Sequence, residues 1–298
     1  MPPETCPASV GGALAWARAR LAGAGVPDAA LDARVLLRGV SGLDAAALIA
    51  RPEQTLSPTA HAAYEEAIRR RATREPVAHI LGVREFWGLT LEVSPATLIP
   101  RPDTETLVEA ALARVPDRRA TLRILDLGTG TGAILLALLH EMPRAEGLGT
   151  DVSADAVGLA RRNAGRLGLG ARVRFAVADW FEGLDGTFDL IVSNPPYIAG
   201  GDIAGLEPDV AAHEPASALD GGVDGLDAYR RIARAVRGHL APAGTLLVEI
   251  GQGQALAVTE IFDAAGLETA GIVADLAGIE RVIAARAKKE LGNPCVPR

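Results

Sequence analysis

"LRILDLGTGTGAILLALLHE", residues 122–141, decides the reading of the chain. Residues 122–127 have the apolar character and length of a buried strand. Gly128, Gly130 and Gly132 then alternate with Thr129 and Thr131, and a helical apolar pattern fills Ala133–Glu141. A strand, a glycine turn and a helix in this order open a strand–helix–strand unit. The glycines let the backbone turn tightly and let a ligand approach it. The helix N-terminus behind them supplies free N–H groups.

Downstream, the alternation continues. Residues 147–151, 173–178, 190–193 and 245–250 read as further strands, followed by 271–274 and 282–284. Helical patterns fall between the first five strands. One follows the N-cap Ser153 and carries Ala156, Leu159, Ala160 and Asn163; another is marked by Leu226, Tyr229, Ile232, Ala233 and Val236. This predicts an α/β fold: a doubly wound, mostly parallel sheet of seven strands with crossover helices. The last two strands have no helix between them, so a hairpin with one antiparallel strand is expected.

Upstream, residues 1–75 read as a small helical bundle. "GGALAWARARLAGAGV" puts Leu14, Ala17 and Leu21 on one face, and "LDARVLLRGV" places Leu31 and Val35 four apart. "LSPTAHAAYEEAIRRRATREP" opens with Ser57 as N-cap and Pro58 at the first helical position, sets Tyr64 and Ile68 on one face, and closes at Pro76. Residues 76–103 read as a hairpin and extended linker: "REFWGLTLEV" has two β-rich halves around Gly88, and Pro100-Arg101-Pro102 is extended. Asp103 or Thr104 is then expected to cap a helix carrying Leu107, Val108, Ala111 and Leu112. The sheet domain is residues 104–298.

With 49% hydrophobic residues and a mean hydropathy of +0.19, the chain can bury a large core. A net charge of −7 fits broad phosphate-backbone binding poorly. Arginine supplies almost all the positive charge; the lysines are Lys288 and Lys289. Cys6 and Cys295 lack ligand spacing and read as incidental thiols. His61, His79, His140, His213 and His239 are scattered, and no metal site is expected. No membrane helix or leader is legible, so a cytoplasmic, soluble protein is expected.

The glycine turn asks for a nucleotide. Gly128, Gly130 and Ala133 fit the dinucleotide pattern loosely, with Asp151 as a ribose-binding carboxylate. Asp126, two residues before the first glycine, argues otherwise: a carboxylate in this loop would repel a pyrophosphate and pair with an ammonium group. S-adenosylmethionine has an ammonium, a ribose and an adenine, which Asp126, the glycines and Asp151 match. Asp179 is expected to accept from the adenine amino group, and Trp180 to pack beside the ring.

The strand at 190–193 ends in Asn194-Pro195-Pro196-Tyr197. A planar amino nitrogen, on an amide or an adenine, attacks a methyl group poorly because its lone pair is delocalised. Holding both its N–H bonds with fixed acceptors turns the lone pair toward the methyl. The Asn194 side-chain oxygen and the Pro195 carbonyl, stiffened by two prolines, are the expected catalytic acceptors, with Tyr197 as a stacking face. This tetrapeptide does not separate a glutamine amide from an adenine.

"DLGTGTG", "VSNPPYI" and "IPRPDTE" together resemble the protein-(glutamine-N5) methyltransferases that modify bacterial peptide chain release factors. "LEPDVAAHEPASALDGGVDGLDAYR" and "DLAGIERVI" add to the likeness. The resemblance spans residues 75–282 and is weak over the helical N-terminus. It implies a Rossmann-like class I methyltransferase fold, with S-adenosyl-L-methionine held by Gly128, Thr129, Gly130, Thr131, Gly132, Asp151, Trp180 and Asn194. S-adenosyl-L-homocysteine is the implied product. The substrate would be the glutamine of a Gly-Gly-Gln motif in class I release factors, bound by Asn194, Pro195, Pro196, Tyr197 and Arg101. Arg101 and its neighbours favour release factors over a ribosomal protein. The alternative reading for Arg101 is a local salt bridge with Asp103 or Glu105. An amino-adenine methyltransferase fits the acidic charge less well. The helical N-terminus is expected to dock the protein substrate, and residues 200–225 to form a lid or substrate-binding loop. His213 is not expected to act as a base, and a monomer is expected.

Overall fold

A computed structural model describes residues 5–288. Cys295 and Lys289 lie outside the described residues. The chain forms two compact units. One runs up to Val83 and includes Leu206–His213; the other comprises Arg84–Gly205 and the chain from Glu214 onward.

The helical unit contains α1 (Val10–Gly23), α2 (Ala29–Ser41), α3 (Ala45–Ala50), α4 (Pro58–Ala72) and α5 (Val77–Leu81). Ser57 caps α4 as expected, its Oγ accepting from the Ala60 amide with Pro58 behind it. Tyr64 and Ile68 are buried together, and the Tyr64 hydroxyl donates to the Ala33 carbonyl at 2.9 Å. The stripe expected on α2 is corrected: Leu31 is exposed, and the buried face is Ala29, Ala33, Leu36 and Leu37. Small alanines carry that face, which a search for large apolar pairs passes over. The short helices α3 and α5 were not expected. Pro76 ends α4's run but also stands at the N-cap of α5, because a proline starts a helix as readily as it stops one.

Arg71 of α4, 5% exposed, bridges Asp32 of α2 and Asp209 of the segment Leu206–His213, each at 2.7 Å. Arg74 adds Asp209 and Glu207. These ion pairs explain why that segment belongs to the helical unit. The Cys6 sulfur and the side chains of His61 and Glu65 place ligand atoms within 4.8 Å of one another. The trio is already engaged: His61 Nε2 contacts the Cys6 carbonyl at 2.9 Å, and Glu65 accepts from the Cys6 amide. Burial, with the Glu65 charge, raises the thiol to about 11 and keeps it protonated.

The second unit opens with a hairpin, β1 (Val83–Phe86) and β2 (Leu89–Glu92). Trp87 and Gly88 both take positive φ, 53° and 68°, as a tight two-residue hairpin turn requires. A tryptophan there is strained. Its amide donates to Glu105 at 2.8 Å and its indole to Glu141 at 2.9 Å, which holds it. A tight turn, Pro102–Thr104, leads into α6 (Glu105–Ala113). Of the two residues expected to cap this helix, Thr104 holds the position, without a side-chain bond to it, and Asp103 pairs with Arg281 at 3.2 Å.

Then follow β3 (Arg123–Leu127), α7 (Ala133–Glu141), β4 (Glu146–Asp151), α8 (Ala154–Arg166), β5 (Val173–Val177), β6 (Phe188–Ser193), the short α9 (Pro208–Ala211), α10 (Asp227–Ala235), β7 (Leu240–Glu249), α11 (Ala255–Ala264), β8 (Leu267–Ala274) and β9 (Glu280–Ala287). The seven-stranded sheet has the order β5-β4-β3-β6-β7-β9-β8. β9 runs antiparallel to both neighbours and the other pairs are parallel, so the expected final hairpin is present. Two details differ. β5 and β6 are joined without a helix, and α11 lies between β7 and β8. Along β3, Ile124 packs into the core that includes Leu107, Leu136 and Ala160 of α6, α7 and α8. Leu125 and Leu127 pack into the opposite core with Tyr229 of α10 and Phe262 of α11. The sheet is therefore covered on both faces. Strand order reverses between β3 and β6, and the crevice outside the strand ends at such a switch point is where doubly wound folds bind ligands.

Candidate functional site

A cavity of about 390 Å³ opens at this switch point. β3 delivers the glycine turn, with φ of +71°, +53° and +82° at Gly128, Gly130 and Gly132. At Gly132 a Cβ would also meet the Leu136 side chain at 3.0 Å and Ala160 Cβ at 3.3 Å, so conformation and space both demand glycine. The Thr129 amide donates to the Thr150 carbonyl at 2.8 Å, tying the turn to β4. The Gly130 amide donates to Asp151 Oδ2 at 2.9 Å, and Asp151 Oδ1 accepts from the Ser153 amide. Asp151 is thus held rigidly on the cavity wall.

Asp126 is elsewhere. It is 0% exposed, and it is not among the residues lining the cavity. Oδ2 accepts from the Thr129 hydroxyl at 2.6 Å, while Oδ1 has no hydrogen-bond partner among the described residues. Burial raises its pKa to about 7; the Thr129 hydroxyl opposes this, and the Asp151 charge adds to it. The direct pairing with a ligand ammonium expected for Asp126 is therefore corrected: the acid braces the turn through Thr129.

Asp179 and Trp180 do line the cavity, beyond the end of β5. Trp180 takes φ 56°, a strained conformation for a tryptophan. Asp179 forms an ion pair with Arg231 of α10, whose guanidinium lies 5.9 Å from the centre of the Trp180 ring. Arg231 lines the cavity too and was not foreseen.

β6 brings the proline tetrapeptide. The Ser193 hydroxyl donates to the Leu127 carbonyl at 2.8 Å, clamping the ends of β6 and β3 together. Asn194 and Pro196 line the cavity; Pro195 is buried. Asn194 Nδ2 donates to Thr104 Oγ1 at 3.1 Å, so its Oδ1 is not spent on that contact. Tyr197 does not line the cavity. Its ring packs partly into the core on the α10–α11 side, its hydroxyl lies 3.5 Å from Glu249 Oε1, and its carbonyl accepts from Gln254 at 3.0 Å. Burial first, and then the Glu249 charge, pushes the Tyr197 phenol up to about 12.

Arg101 lines the cavity, and its Nη2 donates to both oxygens of Glu214, at 2.8 and 2.9 Å. The Glu214 side chain is 1% exposed. The local pair with Asp103 or Glu105 is thus corrected: Arg101 reaches across more than a hundred residues into the 200–225 loop. Burial raises the Glu214 pKa and Arg101 opposes the rise.

The wall formed by Ala96, Thr97, Leu98 and Pro100 was missed, because the linker read only as a connector. Gly132 and His213 are not among the lining residues. No helix of the described residues is long and apolar enough to cross a membrane.

Comparison with known proteins places this geometry. Residues 12–82 match the family model of the PrmC N-terminal domain, and residues 104–210 that of the methyltransferase small domain. The release factor glutamine methyltransferase of Rhodospirillum rubrum is 52% identical, over 91% of this chain and 82% of its own length. That of Bradyrhizobium diazoefficiens is 50% identical, over 90% of this chain and 91% of its own. Among solved structures, the hMettl16 catalytic domain in complex with the MAT2A 3′UTR hairpin 6 has a TM-score of 0.56 at 17% identity, covering 75% of this chain and 84% of that one, and so shares the fold.

Proposed function

The chain belongs to the release factor glutamine methyltransferases, and from that premise we propose that it methylates the side-chain amide of the glutamine in the Gly-Gly-Gln motif of class I peptide chain release factors, with S-adenosyl-L-methionine as donor. The observation that carries this reading is the placement of Asn194 on the cavity beside the glycine turn, clamped there by Ser193.

The residues present fit the cofactor. A glycine turn with open backbone, a fixed carboxylate at Asp151 and an apolar wall at Trp180 suit an amino acid end, a ribose and a base in turn. When bound, S-adenosyl-L-methionine supplies a methyl group on a cationic sulfur. Gly128, Thr129, Gly130 and Thr131 line the site for it, with Asp179 offered to the base once Arg231 yields. Gly132 and Asp126 act behind the wall, by shaping and bracing the turn.

The protein's task toward the acceptor is positional. Asn194 Oδ1 takes one N–H of the substrate amide and the Pro195 carbonyl the other, so the nitrogen lone pair faces away from both. No base is needed beforehand, since a methylated and protonated amide loses its proton readily to water. Pro196 lines the slot for the planar amide with Tyr197 packed behind it, and Arg101 with Glu214 steadies the loop beside it. The helical unit serves as the docking module for the release factor, because a tripeptide alone offers little area.

Incubation with methyl-labelled cofactor tests the reading. Label should enter a release factor and should not enter its Gln→Ala variant; equal labelling of both would refute it.

A further inference from the structure

We infer that Thr104 and Glu249 are positioning residues that fix which way the Asn194 carboxamide faces. The inference rests on the methyl-transfer reading above. A carboxamide is nearly symmetric in shape, but turning it over exchanges an acceptor for a donor. The reaction needs the acceptor toward the substrate N–H. Something must therefore bind the Nδ2 end and reject the Oδ1 end.

Thr104 is placed for this. It is 4% exposed, and its Oγ1 accepts from Asn194 Nδ2 at 3.1 Å. Standing at the start of α6, it spends no hydrogen bond on capping that helix. A hydroxyl could still serve either end of a carboxamide, since it donates as well as accepts. What removes the choice is a neighbouring buried carboxylate. Glu249, at the end of β7, is 2% exposed, and the Thr104 hydroxyl favours its ionised form. An ionised carboxylate is an acceptor only. Beside an acceptor-only group the Thr104 proton has a destination other than Asn194, which leaves a lone pair for Nδ2. The Glu249 Oε2 atom is buried without a hydrogen-bond partner among the described residues, so the carboxylate retains capacity for that proton.

The neighbours of Glu249 set when this holds. Burial lifts its pKa to about 7; Thr104, the Arg281 guanidinium and the Tyr197 hydroxyl lower it, and the Asp103 carboxylate raises it. Arg281 is itself shared with Asp103 and Asp275. As Glu249 takes up a proton it becomes a donor, and the direction of the relay is no longer enforced.

Steady-state methylation of an intact release factor at saturating cofactor tests this, comparing the wild type with Thr104→Val, Thr104→Ser and Glu249→Gln. Thr104→Val should lower kcat by about tenfold, the worth of one hydrogen bond, with the KM for the factor and the affinity for S-adenosylhomocysteine almost unchanged. Thr104→Ser should recover most of the rate. The wild type should show kcat rising through neutral pH, and Glu249→Gln should remove that rise. A Thr104→Val enzyme at the wild-type rate, or a serine variant as slow as the valine one, overturns the proposal. Failure of the wild type to modify the glutamine would sink the functional reading instead. The proposal is then decided by the crystal structure of Thr104→Val with S-adenosylhomocysteine: a turned Asn194 carboxamide supports it, and an unchanged one refutes it.

Discussion

Replacing Asp126 by Asn should change how stability depends on pH, and the size of the change follows from burial. The carboxyl group is fully buried, and its pKa is raised from 3.8 to about 7. Below the unfolded value both states hold the proton, and the group contributes nothing to the pH dependence. As pH rises toward neutrality the unfolded chain ionises while the folded one keeps its proton. Folding stability therefore falls as pH rises, by at most about 1.4 kcal/mol per unit, and levels off above about pH 7. The full loss is roughly 4 kcal/mol. Asn keeps an oxygen for the Thr129 hydroxyl but adds a buried NH2 group that lacks an acceptor, costing about 1–3 kcal/mol at every pH. Asp126→Asn should thus be the less stable protein near about pH 5 and gain on the wild type by roughly 3 kcal/mol by about pH 8. Urea unfolding of the methyltransferase domain at several pH values in that span measures both curves. Parallel curves would refute the reasoning, since they would mean that Asp126 is already ionised in the fold.

Three further outcomes are expected. Arg71→Met leaves Asp32 and Asp209 facing each other without their cation, and should destabilise the helical unit by about 3–5 kcal/mol in thermal unfolding; adding Asp209→Asn should recover part of that. Gly132→Ala combines a positive φ with a Cβ 3.0 Å from Leu136 and should cost about 2–4 kcal/mol, with weaker S-adenosylhomocysteine binding by calorimetry. Arg101→Ala strands the buried Glu214 carboxylate, whereas Glu214→Gln leaves a guanidinium that reaches solvent. The first should therefore lower stability by about 3 kcal/mol and the second by less than about 1 kcal/mol, a difference that paired melting curves resolve.

The sheet was legible because its strands are short apolar runs separated by helical patterns, and the glycine turn marks β3. The antiparallel β9 followed from a missing helix. What escaped has a physical reason in each case. The α2 face is built partly from alanines, which carry little hydrophobic signal, so Leu31 drew attention to the wrong stripe. The burial of Asp126 could not be foreseen, because a strand residue points alternately to either face and the sequence leaves open which side of the turn receives the acid. Arg101 pairs with Glu214 and Asp103 with Arg281, contacts between residues far apart in the chain. The motif "RPDTE" was legible as a family mark alone. The structure gives its residues separate tasks: Arg101 holds Glu214, Asp103 holds Arg281, Thr104 meets Asn194, and Glu105 anchors the hairpin through the Trp87 amide.

The claim at the centre is that Asn194 holds the target nitrogen by its side-chain oxygen. A single-turnover measurement of labelled methyl transfer to an intact release factor, with enzyme and cofactor in excess, tests it most directly when the wild type is compared with Asn194→Ala. The account predicts a rate lower by at least about a hundredfold, since one fixed acceptor and its positioning are both lost, with label absent from the Gln→Ala factor throughout. An Asn194→Ala enzyme that transfers the methyl group at the wild-type rate would contradict it.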